Sequence, residues 1–152
     1  MKFRYFIRYI LSIPLLLAVA LPVFANDDIE KHRSCAHCGM DRKAYGYSRM
    51  LVVYTDGNQT GVCSLHCAVI EMTVNPANKV KSLLVADRDS HQLTDAENAF
   101  WVLGGSKRGV MTARPKWAFA IKEAAMKFIG TFGGSLVSWE QALAAGKEDA
   151  KL

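Results

Sequence analysis

Apolar and polar positions change period several times along this chain, and each change marks an element. Residues 47–54, "YSRMLVVY", are rich in β-branched and aromatic side chains and predict a strand. The Asp56-Gly57 step inside "TDGNQTG" predicts a hairpin turn, with residues 58–63 as the returning strand. Ser64 suits an N-cap, and "LHCAVIEMT" then reads as a short helix stopped at Asn75-Pro76. Residues 80–86, "VKSLLVA", predict a third strand, which completes a strand, strand, helix, strand unit.

The second half repeats that plan loosely. "SHQLTDAENAFWVLGG" supplies a strand and a short helical or extended piece, and "WAFAIK" supplies another strand. Residues 123–132 carry apolar side chains at Ala124, Ala125, Phe128 and Ile129, a helical spacing closed by Gly133-Gly134. "SLVSW" predicts a last strand and "EQALAAG" a terminal helix. The fold class expected is α+β: two similar small ββαβ-type lobes forming one compact mature domain. The divisions are a leader at 1–25, a flexible lead-in segment with the "CxxCGM" motif at 26–46, a first lobe at 47–90, a second lobe at 91–146 and a solvated tail at 147–152.

The leader changes how the charge is read. Lys2, Arg4 and Arg8 precede an apolar run over roughly residues 9–24, and Val23 and Ala25 suit the small positions before a signal-peptide cleavage. That run is short for a membrane span and is interrupted by Pro14 and Pro22, so cleavage is expected rather than a retained anchor. Cleavage lowers the formal charge from +5 to +2, because the leader holds three bases and no acid. No stretch of the mature chain interleaves Lys or Arg with aromatics, which argues against a nucleic-acid partner. The expected location is the periplasm, with membrane contact only transient or through an uncleaved leader. A mature domain of this size folds without disulfides, so four cysteines call for another reason.

Those cysteines form two close pairs, Cys35-x2-Cys38 and Cys63-x3-Cys67, on either side of the expected hairpin. Gly39 follows Cys38, where a chain wrapping a metal needs a residue tolerant of positive φ. Cys63 and Cys67 lie one helical turn apart, so both sulfurs can face one side. Thiolates in this pattern suit zinc, iron-sulfur clusters or Cu(I). Three other readings stay open: a redox dithiol, which lacks the usual strand-to-helix context; disulfide staples, which an oxidising compartment permits; and a purely structural four-cysteine zinc site. His37 and His66 each adjoin a cysteine and are further candidate ligands.

Methionine bears on the choice of metal. Met40 lies two residues after Cys38, and Met111 lies in the polar, glycine-bearing, proline-bounded loop "SKRGVMTARP". Thioether sulfur is a poor zinc ligand and a good one for Cu(I). Met50, Met72 and Met126 sit within apolar strand or helix patterns and read as packing residues. The acids Asp41, Asp87, Asp89, Asp95 and Glu97 read as turn, cap and surface charges, and no spacing suggests paired catalytic carboxylates or a Ser-His-Asp set.

Four stretches taken together, "CxxCGM" at 35–40, "DAENAFWVLGG" at 95–105, "GVM" at 109–111 and "FGGSLVSWEQAL" at 132–143, resemble the NosL family of copper-binding accessory proteins of nitrous oxide reductase maturation. The resemblance implies a periplasmic protein of two ββαβ lobes that binds one Cu(I) and passes it to an assembly machinery. It also implies that Cys38, Met40 and Met111 touch the metal. Two departures stand out: no lipobox cysteine follows the leader, and "VCSLHC" at 62–67 adds a second cysteine pair.

The expectation is therefore a non-enzymatic Cu(I) metallochaperone. Its candidate ligands are Cys38, Met40, Met111, Cys35, Cys63, Cys67 and His66, and its partner is a protein recipient of copper, nitrous oxide reductase or its assembly machinery. The alternatives are a structural zinc module that mediates a protein interaction, and a thiol oxidoreductase.

Overall fold

A computed structural model describes residues 27–151 apart from Pro76 and Asn78; the expected leader lies outside the described residues. No helix among the described residues is long and apolar enough to cross a membrane. The chain runs α1 (Asp27–Lys31), β1 (Met50–Tyr54), β2 (Gln59–Val62), α2 (Leu65–Val74), β3 (Val80–Ala86), β4 (Leu93–Asp95), β5 (Phe100–Leu103), β6 (Lys116–Phe119), α3 (Lys122–Phe132), β7 (Ser135–Val137) and α4 (Trp139–Ala150).

Two antiparallel sheets result, ordered β2-β1-β3-β4 and β6-β5-β7. Each contains the same unit: a hairpin, a helix, and a third strand that returns beside the first strand of the hairpin. The expected α+β pair of ββαβ lobes is the fold observed. In the first unit the hairpin is tight, with Gly57 at φ +89° and Tyr54 N–H donating to Asn58 O at 2.9 Å. In the second, residues 104–115 form a long loop between β5 and β6. The strand at Leu93–Asp95, grouped with the second lobe by its place in the sequence, pairs instead with β3 and extends the first sheet.

Side-chain alternation divides the core between two faces of the second sheet. Trp101 and Ala118 face the larger cluster, built on Met50, Val52, Tyr54, Val62 and α2, whereas Val102, Trp117 and Phe119 face Ala125 and Phe128 of α3. α4 closes the larger cluster by packing on α2, where Gly146 leaves room for Leu65 and Val69: a Cβ at Gly146 would lie 3.1 Å from Leu65 Cγ. Its N-terminus carries a capping box in which Ser138 accepts from Gln141 N–H and the Gln141 side chain accepts from Ser138 N–H.

Two segments expected to be loose are tied down. The lead-in segment contains α1 and is held by a buried clamp: Asp28 Oδ2 accepts from Arg42 at 2.8 Å and from Arg49 at 2.9 Å, both arginines being buried. Burial alone would raise the Asp28 carboxyl, but the hydrogen bonds and charges of Arg49 and Arg42 outweigh it and hold it below the usual carboxylate range. The expected solvated tail likewise continues α4 to Ala150, because Asp149 pairs with Lys116 and accepts from Thr112, and Glu148 pairs with Arg114 at 2.7 Å. These are long-range partners, which local polarity does not reveal.

Candidate metal centre

The candidate metal centre is assembled at the corner where β2 turns into α2. Cys63 ends the strand side of that corner, Ser64 is the N-cap in an extended conformation, and Cys67 lies in the first turn of the helix. Cys63 and Cys67 are four residues apart and present their sulfurs to one side, Sγ to Sγ 3.7 Å. The lead-in segment then brings the other pair over this corner. Ala36 N–H donates to Gly61 O at 3.1 Å, and Arg42 Nε donates to Val62 O at 3.2 Å, immediately before Cys63. The loop from Cys35 to Met40 is closed by Cys35 N–H to Met40 O at 2.9 Å and Gly39 N–H to Cys35 O at 3.0 Å, with Gly39 at φ +74°.

The result is a four-sulfur cluster. Cys35, Cys38, Cys63 and Cys67 are all free thiols, and their sulfur atoms lie within 4.8 Å of one another. Cys38 Sγ is 3.5 Å from Cys63 Sγ. Tetrahedral metal–sulfur bonds of about 2.3 Å would place sulfurs about 3.8 Å apart, so the spacing matches what one soft ion requires. Three of the cysteines are buried and Cys38 is exposed, which gives the cluster one open corner.

Acidity is unevenly distributed over the cluster. The Cys35 thiol is driven far below its ordinary range by hydrogen bonds from Cys63 and Cys67, which outweigh burial, helped by the backbone N–H groups of Cys38 and His37. Hydrogen bonding to Cys35 pushes Cys63 up to about 12, and Cys67 is pushed further in the same direction by Cys35 and Cys63 together. Cys63 and Cys67 therefore hold their protons more firmly than an ordinary thiol.

A polar chain beside the cluster leaves only a faint trace in the sequence. His37, between Cys35 and Cys38, meets Glu71 Oε2 at 2.7 Å through its Nε2; Glu71 is 4% exposed and one turn beyond Cys67 on α2. Tyr54 Oη–H and Asn75 Nδ2–H both donate to Glu71 Oε1. Burial works against the Glu71 charge, yet the hydrogen bonds from Tyr54 and His37 keep its carboxyl below the ordinary value. Burial and the Glu71 bond raise the Tyr54 phenol to about 12. The trace is a glutamate four residues after Cys67, on the helix face that carries that thiol.

The remaining sequence candidates fall in three places. The Met40 side chain is half-buried against the larger core cluster, within the loop that carries Cys38. His66 is one residue from Cys67 and so about 100° away around the helix. It does not join the four sulfurs; it lines a small cavity with Ser48, Ser64, Trp101, Val110 and Thr112, and its Nδ1 has no hydrogen-bond partner among the described residues. Met111 is 41% exposed at φ +53°, a left-handed backbone that a methionine adopts at a cost. The loop immediately after it is anchored to α4 through Thr112 and Arg114.

The chain matches the family model NosL over residues 26–145. Among solved structures it is similar to the crystal structure of the copper chaperone NosL from Shewanella denitrificans, at 23% sequence identity over 71% of this chain and 87% of that chain, with a TM-score of 0.54. That likeness is one of fold. No curated protein sequence matches the chain.

Proposed function

This chain belongs to the NosL family, and from that premise we propose that it is a non-catalytic copper-carrying protein that takes up Cu(I) at its thiol cluster and hands it to a partner. The observation that carries the reading is the convergence of four free thiols within 4.8 Å with one of them, Cys38, exposed. Thiolate sulfur selects a soft ion and excludes calcium and magnesium. The negative charge already concentrated on Cys35 attracts the cation, and capture displaces the Cys63 and Cys67 protons. Release runs through the open corner: an incoming sulfur ligand exchanges with Cys38, so the ion is never stripped to water. Met111 and Met40 serve as thioether ligands that are more easily displaced than thiolate. In this reading the protein works in the periplasm after loss of its leader, and the recipient belongs to nitrous oxide reductase maturation.

A second reading has one observation in its favour. Sulfur separations of 3.5 and 3.7 Å are close to a tetrahedral edge, which suits a closed structural zinc site as well as copper. Anaerobic competition of Cu(I) and Zn(II) against chelators separates the two, using wild type, Cys38→Ser, Cys63→Ser and Met111→Leu. The copper reading expects tight Cu(I) binding that weakens in all three variants. Tight zinc binding indifferent to Met111→Leu would replace it with the structural reading, and unchanged affinity in both cysteine variants would remove the site.

A further inference from the structure

A cleft that shares no residue with the thiol cluster has the makings of a second binding site. Its volume is about 480 Å³, and it is walled by Tyr47, Arg88, Asp89, His91, Lys107, Arg108 and Trp117. Three separate segments meet there: the approach to β1, the turn between β3 and β4, and the β5–β6 loop, with Trp117 from β6 as the aromatic wall. The β3–β4 turn is fixed at His91, whose φ is +59° and whose carbonyl accepts from Arg49 at 2.8 Å. Tyr47 stacks on Trp117 with ring centroids 5.9 Å apart.

Two independent features of this cleft ask for the same ligand. Trp117 is 2% exposed, and its Nε1 has no hydrogen-bond partner among the described residues. An indole N–H can only donate, and a buried donor without an acceptor is unfavourable. By contrast, Trp101 donates its Nε1–H to Ala96 O at 2.8 Å. The second feature is charge. Arg88 pairs with Asp89 and lies over the Phe128 ring, but Lys107 sits over Phe132 and neither Lys107 nor Arg108 is paired with a carboxylate among the described residues.

We propose that this cleft binds a small oxyanion, a carboxylate or a phosphate, with its oxygens facing Trp117 and its charge met by Lys107 and Arg108. A guanidinium and an ammonium recognise such oxygens with charge-assisted hydrogen bonds. The proposal goes beyond the copper reading and does not depend on it.

The test is a ¹⁵N NMR titration of the indole N–H resonances of the whole protein, with the Trp117 signal assigned by its loss in Trp117→Phe. Inorganic phosphate and acetate are added separately against chloride at constant ionic strength, and the Trp101 and Trp139 signals serve as internal controls. The expected result is a saturable shift of the Trp117 signal with one or both anions, and binding weakened by about tenfold or more in Arg108→Gln. Saturation by phosphate, by acetate or by both identifies which oxyanion the cleft accepts. A shift that fails to saturate, that chloride reproduces, or that Arg108→Gln leaves unchanged would overturn the proposal.

Discussion

The two ββαβ units share strand order and handle the same corner in different ways. In the first, the N-cap Ser64 is preceded by Cys63 and followed three residues later by Cys67; in the second, the N-cap Ile121 is preceded by Ala120 and followed three residues later by Ala124. The thiols of one lobe thus stand where the other has methyl groups. The surroundings differ accordingly. Buried Arg42, Arg49 and Glu71 serve the first unit, whereas the second is held by Trp117, Phe119 and Phe128, with Phe128 centroids 5.3 Å from each of the other two rings. Among the described residues, the buried arginines are found where an extra segment is held over the corner of the first unit, and that segment brings two of the four sulfurs.

The sharpest way to break this comparison is to remove the charge. Arg42 is fully buried and donates to the carbonyls of Asp28, His32, Met50 and Val62 as well as to the Asp28 carboxylate. Arg42→Met should cost about 3–5 kcal/mol of unfolding free energy in denaturant titrations, because it leaves four carbonyl acceptors without this donor and the Asp28 carboxylate with Arg49 alone. A loss below about 1 kcal/mol would mean that the clamp is incidental. The same clamp fixes a pH dependence. Asp28 is held below its unfolded value, so its stabilisation is complete above about pH 4 and is lost as the pH falls through the lower folded value. The stability gap between wild type and Asp28→Asn should therefore close on acidification, and a gap that persisted in strong acid would contradict the charge argument.

A smaller effect in energy is more specific to the corner. Cys63→Ser should weaken metal binding by about a hundredfold or more, since even residues that only orient a ligand contribute ten- to hundredfold. Ala120→Ser, at the matching position of the second unit, should leave metal binding unchanged. Equal effects of the two substitutions in chelator competition would show that the corner of the first unit is not the binding position.

How far the chain can be read follows the same division. Elements set by local periodicity are legible: the third strand is expected at 80–86 and lies at Val80–Ala86, and both ββαβ units are visible as alternating patterns. The meeting of the two cysteine pairs is legible too, because a hairpin between them can bring them together. What escapes depends on contacts between distant residues. The polar lead-in segment is held by Asp28 meeting Arg42 and Arg49 and by Ala36 bonding to Gly61, and the end of α4 by Asp149 meeting Lys116 and Glu148 meeting Arg114. Glu71 is buried on its helix, and nothing local announces Tyr54 and His37 as its partners. Asp87 reads as a turn acid and does accept from Ser90 N–H, but it is also buried and accepts from Ala120 N–H, tying the end of β3 to the corner of the second unit.

The smallest predicted effects come from two glycines, and they test the comparison by space alone. Gly61 on β2 lies under Arg42: a Cβ there would meet the guanidinium carbon at 2.7 Å and would also press on His32. Gly61→Ala should cost about 1–3 kcal/mol, because that guanidinium is held by its hydrogen bonds and cannot yield. Gly130 on α3 has a helical backbone that L residues adopt freely, and a methyl group added there would meet nothing within 4 Å. Gly130→Ala should therefore stabilise by about 0.5–1 kcal/mol through helix propensity and leave metal binding unchanged. The opposite signs follow from what covers each unit: a charged segment lies over the first sheet at Gly61, and Gly130 faces open space. If thermal or denaturant unfolding showed Gly130→Ala to be destabilising, that face of α3 would have to be in contact with something, and the second unit would no longer serve as the unadorned form of the first.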